Sequence, residues 1–354
     1  MNGVQKGVFP GAVLLVAYEN EIVLFEVVGN RSLAPDDFPM QGETIFDLAS
    51  LTKPLATSVA LMKLVDEGTI SLDQPLETLL PKSLPSAKKH LTCRQLLSHS
   101  AGFSDWKPYY IELVKYRPDE RKSLVRKWIL DSRLLYPPGR DSLYSDLGFI
   151  VLEWIVEEVA GMALDLFVED CLYKPFLLDN TFLGNAISKG AYTKEIFAAT
   201  EDCRWRNRII RGEVHDENAF ALGGFSGHAG LFGPAGDVYK IVNLLREHYA
   251  GLRHDFLKPD TVREFFRRQK GSNSFTWALG WDTPSRENSS SGKYFHPNSV
   301  GHLGFTGTSV WIDLEKNVSV VFLTNRVHPT RNNLRIKEFR PLLHDTVMKA
   351  LLCV

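Results

Sequence analysis

Strand-forming sequence lies near both ends of this chain, with helical patterns between, and that distribution limits the fold more than any other feature. Near the start, the apolar run Ala12 to Tyr18 is followed by a turn signal at Glu19-Asn20 and a second β-branched run, Ile22 to Val28. Near the end, Thr308 to Ile312 and Val318 to Leu323 flank Glu315-Lys316-Asn317, a second hairpin signal. Between these ends the period changes. Leu55, Val59, Met62, Leu64 and Val65 recur at helical spacing, so Leu51 to Asp66 reads as a helix stopped by Glu67-Gly68. From about residue 76 to 235 the chain reads as helical pieces, including Arg121 to Leu130 and Leu147 to Val159, broken by Pro and Gly. Val238 to Tyr249 and Phe339 to Leu352 complete the helices. The expected fold is therefore mixed α/β: an antiparallel sheet built from both chain ends, flanked by helices. Residues 1–75 with 236–354 would form one unit, and 76–235 a mainly helical insertion. A cleft at their junction is the natural place for a site.

Composition narrows the class of ligand. Among the 354 residues, 41 Lys and Arg nearly cancel 42 Asp and Glu, leaving a formal charge of −1 and no global field to attract nucleic acid or an anionic membrane. A small molecule is the expected partner, and oligomeric state is left open. The four cysteines, at 93, 171, 203 and 353, form no C-x-x-C pair and are too sparse for a disulfide scaffold. The apolar stretch Ala12 to Tyr18 is too short to cross a membrane and has no export-type cleavage site after it. The expectation is a cytoplasmic chain with reduced thiols.

Several common catalytic signatures are missing. No two glycines stand two apart, which excludes G-x-G-x-x-G, and neither a phosphate loop nor H-E-x-x-H occurs. The nearest approach to a G-x-S-x-G elbow, Gly224-Phe-Ser-Gly-His228, ends in His. The closest histidine pair on the strand side, His296 and His302, lacks a supporting ligand cluster, so no metal and no cofactor are expected. S-x-x-K occurs at Ser50, Ser86, Ser104 and Ser290. Only Ser50 opens a long apolar helix, which places its hydroxyl and the Lys53 amine one turn apart on one face. A serine hydroxyl is a poor nucleophile until a base takes its proton, and a buried lysine of lowered pKa can do so. A helix N-terminus also favours a developing oxyanion. The alternative for the same residues is a helix cap followed by an ordinary surface lysine.

Two further segments carry chemistry. Tyr144-Ser-Asp146 follows Pro137-Pro-Gly139 and directly precedes a helix, so the phenol would sit on a rigid loop and could relay a proton to a leaving group. In His302-Leu-Gly304-Phe-Thr-Gly-Thr308, the glycine spacing before a strand indicates close backbone approach, either to a substrate or within a bulged edge strand.

Taken in order, Ser50-x-x-Lys53, Tyr144-x-Asp146 and His302-x-Gly304 resemble the serine β-lactamase and penicillin-binding-protein superfamily, in particular its class C β-lactamase, family VIII carboxylesterase and D-alanyl-D-alanine peptidase branch. The resemblance extends to Leu96-Leu-Ser-His-Ser-Ala-Gly102, Tyr136-Pro-Pro-Gly139, the glycine-rich 221–232 segment and Leu323-Thr-Asn-Arg326. It implies Ser50 as nucleophile, Lys53 as its base, and Tyr144 sharing the base work and protonating the leaving group. The backbone N–H groups of Ser50 and Phe305 would form the oxyanion hole. Asp146, His302, Gly304 and Asn325 would contact substrate; His228 is counted with them, although substrate contact and plain loop chemistry fit His215, Asp216 and His228 equally.

Two positions depart from the family. His302 replaces the usual lysine of the third motif and is a poorer fixed partner for a β-lactam carboxylate. Asp146 replaces the usual Asn, and its charge would hold Lys53 as the ammonium, shifting base work toward Tyr144. The resulting expectation is a serine hydrolase acting on an ester, amide or peptidoglycan fragment through an acyl-enzyme on Ser50. A true β-lactamase, a D-alanyl-D-alanine carboxypeptidase and a non-catalytic ligand-binding member are the alternatives.

Overall fold

The computed structural model describes residues 3–33, 37–80, 84–185, 192–270 and 275–352. Strands from both chain ends form one six-stranded antiparallel sheet, in the order Phe38–Pro39, Glu21–Ser32, Gly11–Tyr18, Val318–Thr324, Ser309–Asp313, Val300–Leu303. The first strand meets the last across the centre, with Leu15 opposite Val321, and helices cover both faces. Val13, Leu15 and Ala17 point into the larger apolar cluster, whereas Ala12 and Val16 pack with Phe339 and Leu343 of the C-terminal helix Ile336–Leu352. Burial on both faces explains why the Gly11–Tyr18 strand reads as a continuous apolar run instead of an alternating one. The first hairpin turns at Glu19 and Asn20, both with positive φ (48° and 75°), as a two-residue turn between right-twisted strands requires. The His302 segment is the opposite edge strand, in register with Val310.

The helix beginning near Leu51 departs from expectation in an informative way. It consists of a 3₁₀ turn at Ala49–Leu51, a π-helical turn at Lys53–Thr57 and an α-helix at Ser58–Asp66. Pro54 has no N–H to donate to the Ser50 carbonyl, so a regular α-helical ladder cannot run through this point. Ala49, just before the serine, adopts φ 48°, a left-handed conformation unusual for a residue with a Cβ. The Asp47 carboxylate accepts its N–H at 2.8 Å.

The central part of the chain contains more than helices. Leu231–Gly233 pairs on one side with Phe46–Asp47 and on the other with Phe182–Leu183, and Asp202–Cys203 pairs with Arg208–Ile209. Ladders of two or three residues are too short to leave an alternating pattern, so the sequence does not announce them. The small central sheet fastens the segment before Ser50 to the glycine-rich segment 223–230. Cys93, Cys171 and Cys203 are free thiols, and Cys353 lies outside the described residues. No helix among the described residues is long and apolar enough to cross a membrane.

Gly227 shows how tightly the glycine-rich segment is packed. A Cβ there would stand 2.2 Å from the Phe149 carbonyl oxygen and 2.9 Å from the Glu153 Cβ, and both of those residues belong to the helix Asp146–Ala160. Gly227→Ala should therefore cost about 1–3 kcal/mol, read as a lower urea midpoint. An unchanged midpoint would show that this approach can relax.

Candidate active site

Ser50 lines a cavity of about 660 Å³, and the side chain of Lys53 is buried behind it. The Lys53 ammonium donates to Ser50 Oγ at 3.1 Å and to the His228 carbonyl at 3.1 Å, and pairs with Asp146 Oδ1 at 2.6 Å. It also lies 4.7 Å from the centroid of the Tyr144 ring. Burial alone would lower the Lys53 pKa, but Asp146 and then Tyr144 outweigh it and hold the pKa above its usual value. This corrects the expectation of a lysine with lowered pKa: the resting side chain is an ammonium. Tyr144 is raised too. Its burial and the Asp146 charge outweigh the opposing effects of Lys53 and of hydrogen bonding to Lys53 and Ser50, so the phenol rests neutral.

The Tyr144-to-Asp146 strip is fixed by the loop that follows Leu97. His99 Nδ1 accepts the Ser145 N–H at 3.0 Å, the Ser104 carbonyl accepts the Ser145 hydroxyl at 2.7 Å, and the Asp105 carbonyl accepts the Asp146 N–H at 2.8 Å. Ser145 also caps the helix that begins at Asp146. The His99 ring packs 4.7 Å from Tyr144 and 4.4 Å from Trp277. The resemblance covers Leu96–Gly102 without giving His99 a part, and Trp277, which stands between Phe275 and Trp281, belongs to no motif the sequence presents.

His302 lies across the cavity, 2% exposed, with Nδ1 against the Leu303 carbonyl at 2.9 Å and Nε2 unpartnered. Burial, reinforced by Lys53, lowers its pKa to about 3, so it is neutral near pH 7. Because the folded pKa lies below the unfolded value, the unfolded chain takes up a proton first as the pH falls. This histidine therefore favours the folded state above about pH 6.5 and withdraws that support between there and about pH 3, by up to about 1.4 kcal/mol per pH unit. His302→Gln should flatten the decline of the urea midpoint between pH 7 and pH 4.5. Parallel declines in the two proteins would refute this account.

Asp216 and His228 form a second charged pair, with His228 Nε2 2.9 Å from Asp216 Oδ1. Despite burial, the pairing raises the His228 pKa and holds the Asp216 carboxyl well below the usual carboxylate range. Ligand atoms of Asp146, Asp216 and His228 lie within 4.8 Å of one another, but the Lys53 ammonium already supplies a positive charge in contact with Asp146. His296 is not part of that group.

The remaining wall is the turn from Gly304 to Thr308, which is held against the chain preceding Ser50. Thr306 donates to the Asp47 carbonyl at 2.7 Å and Thr308 to the Leu48 carbonyl at 3.0 Å. A Cβ on Gly304 would stand 2.6 Å from the Leu48 oxygen, so glycine permits the close approach anticipated from its spacing. Among the described residues, the backbone N–H groups of Ser50 and Phe305 have no acceptor within the protein. The Phe305 ring stacks on His215 and lies beneath the Arg326 guanidinium. Arg331 joins Glu201 and Glu217 on the same side, with His215 Nε2 3.1 Å from Glu201.

Asn325 is not placed in this cavity. Its Oδ1 accepts the Gly11 N–H at 2.9 Å, and its Nδ2 donates to the Asn30 and Arg31 carbonyls at 3.2 Å, so the amide is spent joining strands. The structure thus removes the proposed substrate contact at Asn325. The serine of the elbow-like sequence, Ser226, is fully buried and donates to Glu153 at 2.5 Å. Ser86, Ser104 and Ser290 do not line the cavity.

Comparison with known proteins accords with this geometry. The chain matches the Beta-lactamase family over residues 2–343. It belongs to that family, and it is a serine hydrolase. The N-acetylmuramyl-L-alanine amidase of Bacillus subtilis is 33% identical over 352 residues, covering 90% of this chain and 78% of the relative. Among solved structures, EstCE1, a hydrolase with promiscuous acyltransferase activity, superposes with a TM-score of 0.74 at 22% identity, covering 96% of each chain. The octameric penicillin-binding protein homologue from Pyrococcus abyssi gives 0.71 at 19% identity, covering 97% of this chain and 75% of that one. These two likenesses concern the fold alone.

Proposed function

We propose that this Beta-lactamase family member cleaves an amide or ester through an acyl-enzyme on Ser50, and that its substrate is a peptidoglycan fragment with a muramyl–peptide amide. The contact of Lys53 with both Ser50 and Asp146 carries the mechanistic part of this reading. In the resting site Lys53 is an ammonium and Tyr144 a neutral phenol, so neither is a free base. The proton therefore leaves Ser50 by relay: Ser50 gives its proton to Lys53 as Lys53 passes one to Asp146, and Ser50 Oγ bonds to the carbonyl carbon. The electron pair moves to the carbonyl oxygen, to which the Ser50 and Phe305 N–H groups donate hydrogen bonds. On collapse, Tyr144 protonates the departing amine or alkoxide and recovers its proton from Asp146 through Lys53. Water then repeats the sequence on the acyl-enzyme.

The substrate class rests on the amidase relative and on His302. A neutral third-motif residue offers no fixed cation to a β-lactam carboxylate, which favours an amidase or esterase over a β-lactamase. The test is product analysis by mass spectrometry with N-acetylmuramyl-L-alanyl-D-isoglutamine, a peptide ending in D-alanyl-D-alanine, 4-nitrophenyl butyrate and benzylpenicillin. Release of N-acetylmuramic acid is the expected result. Loss of the terminal D-alanine alone would make the enzyme a carboxypeptidase, and penicillin turnover without amide cleavage would make it a β-lactamase.

A further inference from the structure

Two buried arginines, Arg326 and Arg340, line the cavity beside the Gly304–Thr308 turn and lack a carboxylate partner within ion-pair distance among the described residues. Arg340, 5% exposed on the C-terminal helix, directs Nη2 at the Gly304 carbonyl (3.3 Å) and the Thr308 carbonyl (2.9 Å), and its Nε has no partner. Arg326, also 5% exposed, donates Nη2 to the Phe305 carbonyl and Nη1 to the Arg331 and Asn333 carbonyls. Among the described residues neither guanidinium lies within ion-pair distance of an acid, and the neighbouring carboxylates Glu201 and Glu217 are taken by Arg331. Burying one charge without a counter-ion is costly, and a fold that retains two at one turn invites a functional account.

We propose that Arg340 and Arg326 are positioning residues for the oxyanion site, gripping the two carbonyls on either side of the Phe305 N–H. The inference rests on the reading above, in which that N–H receives the developing oxyanion. In a trans peptide the C=O and N–H point in opposite directions. Arg340 on the Gly304 oxygen therefore fixes which way the Phe305 N–H faces. Donation to that oxygen also polarises the amide and makes its N–H a stronger donor, the cooperative effect of linked hydrogen bonds. Arg326 fixes the next peptide in the same way. With no carboxylate in contact, and for Arg340 no carboxylate raising its pKa, these positive charges remain available when negative charge develops on the substrate oxygen. Burial, with repulsion from Arg331, lowers Arg326 to about 10, and burial, with repulsion from Arg326, lowers Arg340 to about 9, so both remain protonated near neutral pH.

A competing role for Arg340 is direct contact with a substrate carboxylate, and kinetics separate the two. The probes are 4-nitrophenyl butyrate, which is neutral, and 4-nitrophenyl hydrogen succinate, which is anionic. Arg340→Met should lower kcat about 10- to 100-fold on both esters while KM stays within about twofold, a smaller loss than removing an oxyanion donor outright. Arg340→Lys, which keeps the charge but not the two-carbonyl grip, should lie between wild type and Met. It also serves as the test variant if Arg340→Met does not fold. Inhibition by phenylboronic acid, whose serine adduct is a tetrahedral anion, should weaken by the same factor as kcat/KM. A loss confined to KM for the anionic ester would overturn the proposal in favour of carboxylate binding. Unchanged kcat on both esters, in a wild type whose turnover requires Ser50, would sink this inference alone. Wild-type turnover that survives Ser50→Ala would remove the underlying reading and this one together.

Discussion

Ser50→Ala should reduce turnover of every accepted substrate by at least about 10⁴-fold and abolish the mass adduct formed with a fluorophosphonate, because among the described residues no other serine shares the Lys53 contact. The substitution is clean. The Ser50 hydroxyl takes a hydrogen bond from Lys53 and also meets the Tyr144 phenol, and the ammonium keeps Asp146 and the His228 carbonyl when its bond to Ser50 is lost. Stability should accordingly change by no more than about 2 kcal/mol, the net value of two hydrogen bonds. A large fall in the urea midpoint would mean that activity was lost with the fold and would leave the nucleophile unidentified. An adduct that persists in the folded alanine protein, located by peptide mapping, would move the nucleophile elsewhere. Ser226 is a poor candidate, since it is buried and committed to Glu153.

The parts of this site legible in the sequence are those with local or strongly patterned causes. The terminal strands announce themselves because both are apolar and β-branched, and Ser50 and Lys53 because a helical turn joins them. Gly304 was legible as a place of close approach, and the structure identifies the approaching atom as the Leu48 carbonyl oxygen. What remained hidden depends on contacts between distant segments. Nothing near Arg340 in sequence shows that its guanidinium reaches Gly304, and nothing near Asp216 shows that His228 is its partner. Asn325 was misassigned for the same reason: a motif position indicates a neighbourhood, whereas its amide is used by Gly11, Asn30 and Arg31. The raised pKa of Lys53 was half visible. The departure to Asp146 predicted an ammonium, but only the 2.6 Å contact shows that the pair overrides complete burial.

That ion pair supports the second large effect. Lys53→Met should lower kcat/KM by about 10³-fold or more and destabilise the protein by about 2–3 kcal/mol, because Asp146 is left charged beside an apolar side chain. The cost falls short of that for a wholly buried pair because the Asp146 side chain keeps 16% exposure. Lys53→Met combined with Asp146→Leu removes both charges, so stability should largely return while activity does not. Recovery of activity in the double variant would deny Lys53 a part in proton transfer. Asp146→Asn separates the relay from simple base catalysis. Without the carboxylate, burial lowers the Lys53 pKa, and turnover then requires the neutral amine. The acid limb of kcat/KM should therefore move to higher pH in Asp146→Asn than in wild type, where Lys53 works while protonated by handing a proton to Asp146. Superimposable profiles would show that Asp146 only holds Lys53 in place.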